Sequence, residues 1–155
     1  KTWAGYSQPG KDAMARLPEE KRARGERTMA AGDRLAANFD EVPVVLVWVH
    51  DPRFLGSPEE KSIQPEFIHG GSLYPAIHNL LLACRVEGLG GVITTMAWRY
   101  EDEVRALLEI PDPWRMHALV PIGYPVGKGH GPLARKPLEK MVYGERFGDA
   151  FPLEP

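Results

Sequence analysis

Two stretches stand out against the mixed polar and apolar pattern of this 155-residue chain. Residues 41–50, EVPVVLVWVH, are a near-continuous β-branched run, which predicts a strand buried on both faces at the centre of a sheet. Residues 70–95 read GGSLYPAIHNLLLACRVEGLGGVITT. Within them Ile77, Leu80, Leu81, Leu82, Cys84 and Val86 cover most of a helical circumference, so a helix buried on most sides and central to the domain is predicted. Ser72 is placed to cap it, Pro75 to stand in its first turn, and Gly88 to end it at C′. GLGG then turns directly into VITT, a short strand.

Weaker patterns flank these two. EEKRARGERTMAAGDRLAANF, residues 19–39, is rich in helix formers and has a thin apolar side of Met29, Ala36 and Phe39, with Lys21, Arg24 and Arg27 turned to water. Gly25 and Gly32 each cost roughly 1 kcal/mol against alanine, so a break is expected near either. Residues 1–17 carry few signals beyond a turn at Pro9-Gly10 and a helix start at Pro18. DPRFLGSPEEKSIQPEFIHGG, residues 51–71, reads as a long loop of the kind that often carries function. EDEVRALLEI, residues 101–110, is an amphipathic helix stopped by Pro111 and Pro113. MHALVPIGYPV, residues 116–126, is a second apolar strand, and GKGHGPLARKPLEKMV is a glycine-rich loop with basic residues. No internal repeat or low-complexity tract occurs.

The length suits a single domain. A hydrophobic share of 43% and a charged share of 26% suit a packed core. Arg85 and Glu87 interrupt the best apolar run before it reaches the ~18 residues that cross a bilayer, so no membrane span is expected. The first residues lack the apolar stretch of a signal peptide, and a single cysteine forms no internal disulfide; together they favour the cytoplasm. A net charge of −2 with no long basic block argues against a nucleic-acid partner. The opening on Lys1, with no methionine, points to part of a longer polypeptide.

Common chemical signatures are absent. GLGG lacks GxGxxG spacing and precedes a strand instead of a helix, and no P-loop occurs. The five histidines show no HxxxH or HExxH pairing, and Cys84 has no CxxC partner, so no metal site is expected. Among leucines, Cys84 is expected to pack as a small hydrophobe. Arg135 and Lys136 in GPLARKP have two readings: a solvated basic turn, or a phosphate clamp using the planar guanidinium fork. Thr94 and Thr95 are either strand-edge threonines or the end of a strand that presents backbone N–H groups to a planar ligand.

Taken in order, SLYPAIHNLLLACRVEGLGGVITT, EVRALLEIP, ALVPIGYPVG and ARKPLEKMV resemble the nitroreductase family of FMN-dependent oxidoreductases. The likeness covers about residues 30 to 143, including DRLAANFDEVPVVLVWV. It implies an α+β fold, an α/β/α sandwich with a mainly antiparallel sheet around a buried central helix. It also implies FMN as cofactor and an obligate homodimer with the flavin at the interface. On this resemblance Ile93, Thr94 and Thr95 approach the isoalloxazine, a backbone N–H there reaching N5. Arg135, with Lys136 beside it, binds the FMN phosphate. The family's N-terminal phosphate- and ring-binding element has no counterpart among these residues, and the resemblance places it before Lys1.

The activity so implied is ping-pong transfer from NADH or NADPH, through the flavin, to a nitroaromatic, quinone or similar small electrophile. Phe67, Leu73 and Tyr74 are the expected substrate-side wall, with Phe54 and Ile68 nearby; packing at a dimer seam is the other reading of these side chains. Two alternatives stand beside that activity. One is a flavin-binding or partner module without turnover, and the other a relative that uses a deazaflavin or a different acceptor.

Overall fold

The computed structural model describes residues 2–55, 65–127 and 135–151, without the side chains of 2–6, 20, 54–55 and 65–69. Two compact units divide the chain, Lys1–Pro125 and Val126–Pro155. The first holds α1 (Thr2–Ala15), α2 (Glu19–Ala37), β1 (Val44–His50), α3 (Pro65–Val86), β2 (Gly90–Gly91), α4 (Glu101–Leu107) and β3 (Arg115–Gly123). Helices around an antiparallel sheet make it an α+β fold.

The described sheet has three strands in the order β1-β3-β2, both pairs antiparallel. The centre therefore belongs to β3, and the expectation that residues 41–50 would take it is corrected: β1 lies at the edge, half-buried along most of its length. The burial pattern supplies the reason. Met116, Ala118, Val120 and Pro121 of β3 are buried, whereas β1 covers only one side of that strand. Trp48 of β1 pairs with Ala118 and Val49 with Met116, so His117 is an extra residue in the register of β3, a β-bulge.

α3 lies over this sheet. Ile77, Ala118 and Val120 form the buried cluster, with Leu46, Trp48, Leu80, Leu81, Ile93 and Ile122 packed around it. Gly70, Leu73, Ile77, Leu80, Leu81 and Cys84 recur at the three- and four-residue spacing of one helical stripe. The rest of the circumference is open in this chain, with Leu82 54% and Val86 83% exposed, where the all-round apolar sequence predicts burial on most sides. The helix also begins about two turns sooner than expected, at Pro65 instead of Ser72. Proline fits a first helical position. Ser72 is thus mid-helix and exposed, and Pro75 is interior. Its C-terminus is as predicted. Gly88 has φ +73, its N–H donates to Arg85 O at 3.3 Å, and Leu89 N–H donates to Cys84 O at 2.7 Å, the paired bonds of a Schellman end.

The N-terminal region departs most from expectation. Residues 2–15 form a helix with Pro9 inside it, although an interior proline costs roughly 3 kcal/mol. Packing against α2 offsets that cost. A Cβ on Gly10 would lie 3.2 Å from Met29 Cε, and one on Gly25 would lie 2.6 Å from Met14 Sδ. Gly10 and Gly25 let the two helices approach, and α2 runs unbroken through Gly25 and Gly32. Of its expected apolar side Met29 is buried, while Ala36 and Phe39 are exposed. α4 ends at Leu107, shorter than 101–110, in a second Schellman end: Glu109 has φ 54 and Ile110 N–H donates to Arg105 O at 2.9 Å.

In the second unit Leu138–Lys140 is a 3-10 turn, and a loop closes through the Tyr143↔Ala150 bridge with the Tyr143 and Phe147 rings 4.6 Å apart.

Candidate functional site

The turn after α3 delivers Ile93, Thr94 and Thr95 to the free edge of β3. Thr94 and Leu119 exchange both backbone bonds, each 2.9 Å, so the segment is held in register beside the central strand. Ile93 packs on the core and is half-buried, Thr94 is half-buried, and Thr95 is exposed. Thr94 has its own N–H on Leu119, and its Oγ1 accepts from Met96 N–H at 3.4 Å. Among the described residues the N–H groups of Ile93 and Thr95 find no acceptor, and they flank Thr94 as two donors open to a ligand. Gly91, before them, also admits a neighbouring element. A Cβ on Gly91 would lie 2.8 Å from Leu81 Cδ2, so its bareness admits α3.

On the α3 side of the sheet, three rings from three elements meet. His50 of β1 and His117 of β3 have centroids 4.4 Å apart, and Tyr74 of α3 stands 6.1 Å from His117, edge to face. Leu73 is half-buried and Tyr74 39% exposed. Phe67 is in α3, but its side chain lies outside the described residues, as do those of Phe54 and Ile68. The spacing of the histidines along the chain does not reveal the ring cluster, because the contact forms across two strands. One signal was available: β1 ends on His50 and the apolar run of β3 begins at Met116-His117, so antiparallel pairing sets the two histidines side by side.

Arg135 and Lys136 belong to the second unit, just before the 3-10 turn, and both are exposed. Neither makes an ion pair with a described residue, so the guanidinium fork of Arg135 is available to an anion. Elsewhere the charged pairs are internal. Arg53 grips the Asp51 carboxylate through Nε at 2.9 Å and through its backbone N–H at 3.0 Å. These bonds hold the Asp51 carboxyl down at about 2. Arg105 likewise lowers Asp112. An open groove of about 430 Å³ between α1 and α2 is lined by Lys11, Met14, Arg22, Glu26, Met29 and Asp33 among others; no predicted site residue lines it. Among the described residues no group of three or more His, Cys, Asp or Glu side chains is placed to hold a metal, and no helix is long and apolar enough to cross a membrane.

The α+β scaffold thus carries a turn whose backbone N–H groups stand beside the central strand. The nitroreductase family model matches residues 7–124. Over 161 aligned residues the chain is 31% identical to an NADH dehydrogenase of Thermus thermophilus, covering 87% of this chain and 75% of that protein. Among solved structures, a mutant of the FMN and NADPH-dependent nitroreductase NfnB from sphigopyxis sp. strain HMH superposes with a TM-score of 0.54 at 17% identity, over 94% of this chain and 60% of that one. A BluB-like flavoprotein from Clostridium difficile 630 gives 0.53 at 19% identity, over 94% and 72%. The chain belongs to the nitroreductase family, a family of oxidoreductase enzymes. It spans less than two thirds of the length of that solved nitroreductase.

Proposed function

We propose that this chain holds FMN and passes reducing equivalents from NADH or NADPH to a nitroaromatic, quinone or similar small electrophile, by a ping-pong scheme. The observation that carries the reading is the family match over 7–124, which includes the Ile93–Thr95 turn and its two uncommitted backbone donors. The names of two relatives, an NADH dehydrogenase and an FMN and NADPH-dependent nitroreductase, support the choice of cofactor and donor. When bound, FMN supplies a ring that takes up two electrons and gives them to the acceptor.

The chain's own residues fit that group by their chemistry. The N–H groups of Ile93 and Thr95 donate to polar edge atoms of a flat ring, and the Thr94–Leu119 ladder holds them still. Arg135 offers two parallel N–H bonds to phosphate, and Lys136 adds a point charge. Leu73 and Tyr74 wall the acceptor side. The open face of α3, with Leu82 and Val86, supports a homodimer in which a second copy covers it. The cytoplasm, where NAD(P)H is held, is the compartment this reading assigns.

The test is the visible spectrum of the purified full-length protein, followed by anaerobic addition of NADH and then NADPH. A flavin band that bleaches is expected. A colourless protein that refuses added FMN overturns the reading, and one that binds FMN without bleaching leaves a flavin carrier without turnover. Arg135→Ala should weaken FMN binding about 10- to 100-fold, the effect of losing charged hydrogen bonds of roughly 1.5–3 kcal/mol. A fluorescence titration of apoprotein with FMN measures it, and unchanged affinity removes Arg135 from the phosphate site.

A further inference from the structure

Directly after Thr95 the chain makes a 3-10 turn, Met96–Tyr100. Met96 and Ala97 are half-buried, and α1 and β3 pack against the turn. Trp98 N–H donates to Thr95 O at 3.3 Å. Such a turn repeats every three residues, so the side chains of Thr95 and Trp98 eclipse on one face, and three residues at ~2.0 Å each set them about 6 Å apart along it. Both are exposed, Trp98 by 61%. The guanidinium of Arg99 stands over the indole, its Cζ 5.9 Å from the ring centroid, within the range at which a cation is attracted to a π face. Among the described residues Arg99 makes no ion pair. A large flat ring is thus left to water one turn from the open N–H of Thr95.

We propose that the Trp98 indole, with Arg99 stacked on it, seats the adenine base of the nicotinamide dinucleotide that reduces the flavin. The inference rests on the proposed function and assigns it a donor-binding residue. A dinucleotide whose nicotinamide reaches the site at Ile93 and Thr95 carries its adenine away from that site and needs a second surface within reach. Every base has a π face, and stacking on an aromatic side chain asks for no further groups. An indole already in place has little conformational entropy to lose when it stacks. The charge of the segment selects the base over the phosphates. Glu101, Asp102 and Glu103 open α4 immediately beyond, and Arg99 is the one cation from Met96 to Glu103. Stacking, not charge, therefore carries the contact, and a base without phosphate is enough to test it.

The variants are Trp98→Ala and Trp98→Phe, and the probes are adenosine, NADH and reduced nicotinamide mononucleotide, a donor without the adenine. Calorimetric titration of the purified protein with adenosine should give a Kd that Trp98→Ala raises about 5- to 100-fold, the effect of losing one base stacked on an aromatic ring. Trp98→Phe should largely restore it, because a π face returns. The KM for NADH should rise by the same factor in Trp98→Ala, while the KM for reduced nicotinamide mononucleotide stays where it was. Adenosine should inhibit competitively against NADH and leave turnover of the mononucleotide alone. Equal KM changes for the two donors would make Trp98 a structural residue and overturn the inference, as would an adenosine Kd unchanged in Trp98→Ala or inhibition that NADH does not relieve. Absence of flavin bleaching in the unaltered protein overturns the proposed function, and the adenosine titration still decides whether Trp98 holds a base. Should Trp98→Ala fail to fold, Trp98→Leu, which keeps apolar bulk without a π face, decides.

Discussion

The α3–sheet layer and the α1–α2 hairpin are both helical packings in the same unit, built from opposite materials. Under α3 the contact is dry and shaped: Ile77 and Val120 are fully buried, with Ala118 at 2% exposure between them. Between α1 and α2 the contact is glycine against methionine, Gly10 on Met29 and Gly25 on Met14, rimmed by the Lys11–Asp33 ion pair. Branched side chains with few rotamers specify one arrangement, whereas unbranched methionine adapts to several. The candidate site stands on the first layer, where Ile93 packs on the core and His117 belongs to the central strand β3. A site must be held to within a fraction of an ångström, and a shaped core supplies that.

The comparison breaks most visibly at Ile77. Ile77→Ala opens a cavity in the fully buried cluster and should cost about 2–5 kcal/mol, because close-packed neighbours relax only partly. Chemical denaturation monitored by circular dichroism measures it. A loss below about 1 kcal/mol would show that the α3 layer adapts as the hairpin does.

Gly25→Ala probes the soft side. The new Cβ would meet Met14 Sδ at 2.6 Å, too close to remain, but the obstacle is the far end of a flexible side chain. Alanine returns about 1 kcal/mol of helix propensity, and moving Met14 uses up part of that. The net change should lie within about 1 kcal/mol of zero, read from the same denaturation midpoint. A loss of several kcal/mol would mean that the hairpin is as rigid as the α3 layer.

Much of the α3 layer was legible in the chain because its signals are local and strong. The Gly88 end of α3 and the apolar run of β3 each follow from a few adjacent residues, and the family resemblance carried the α+β fold; the strand expected over VITT is corrected, since the strand is Gly90–Gly91 and Thr94 makes a single bridge to Leu119. What failed depends on partners distant in sequence. The β-branched run of β1 says that it is a strand and nothing about which neighbour it has, so an edge strand read as a central one. Pro9 and Gly25 punctuate a helix locally, and only the facing helix shows why the chain tolerates them. Ser72 and Pro75 suggested a helix start that the residues from Pro65 onward override. At the candidate site, Ile93–Thr95 could be placed on a turn, but the commitment of the Thr94 N–H to Leu119 requires the strand register. The Tyr74–His117–His50 series was illegible for the same reason: a bulge is a property of the pairing, and no single strand reveals it.

The finest distinction between the two packings lies at the rim of the hairpin. Lys11 Nζ and Asp33 Oδ2 are 2.8 Å apart, with side chains 46% and 38% exposed. Water screens such a pair, and fixing two long side chains offsets part of the attraction, so its net worth is about 0.2–1 kcal/mol. Lys11→Met retains an unbranched apolar stem in the groove that Met14 and Ala15 also line, which isolates the charge. The variant should lose that small amount at low ionic strength and none of it near 1 M salt, where the Debye length falls to roughly 3 Å. Parallel melts at low and high salt check it. A salt-independent loss would assign Lys11 to packing instead of charge and would move the hairpin closer in kind to the layer under α3.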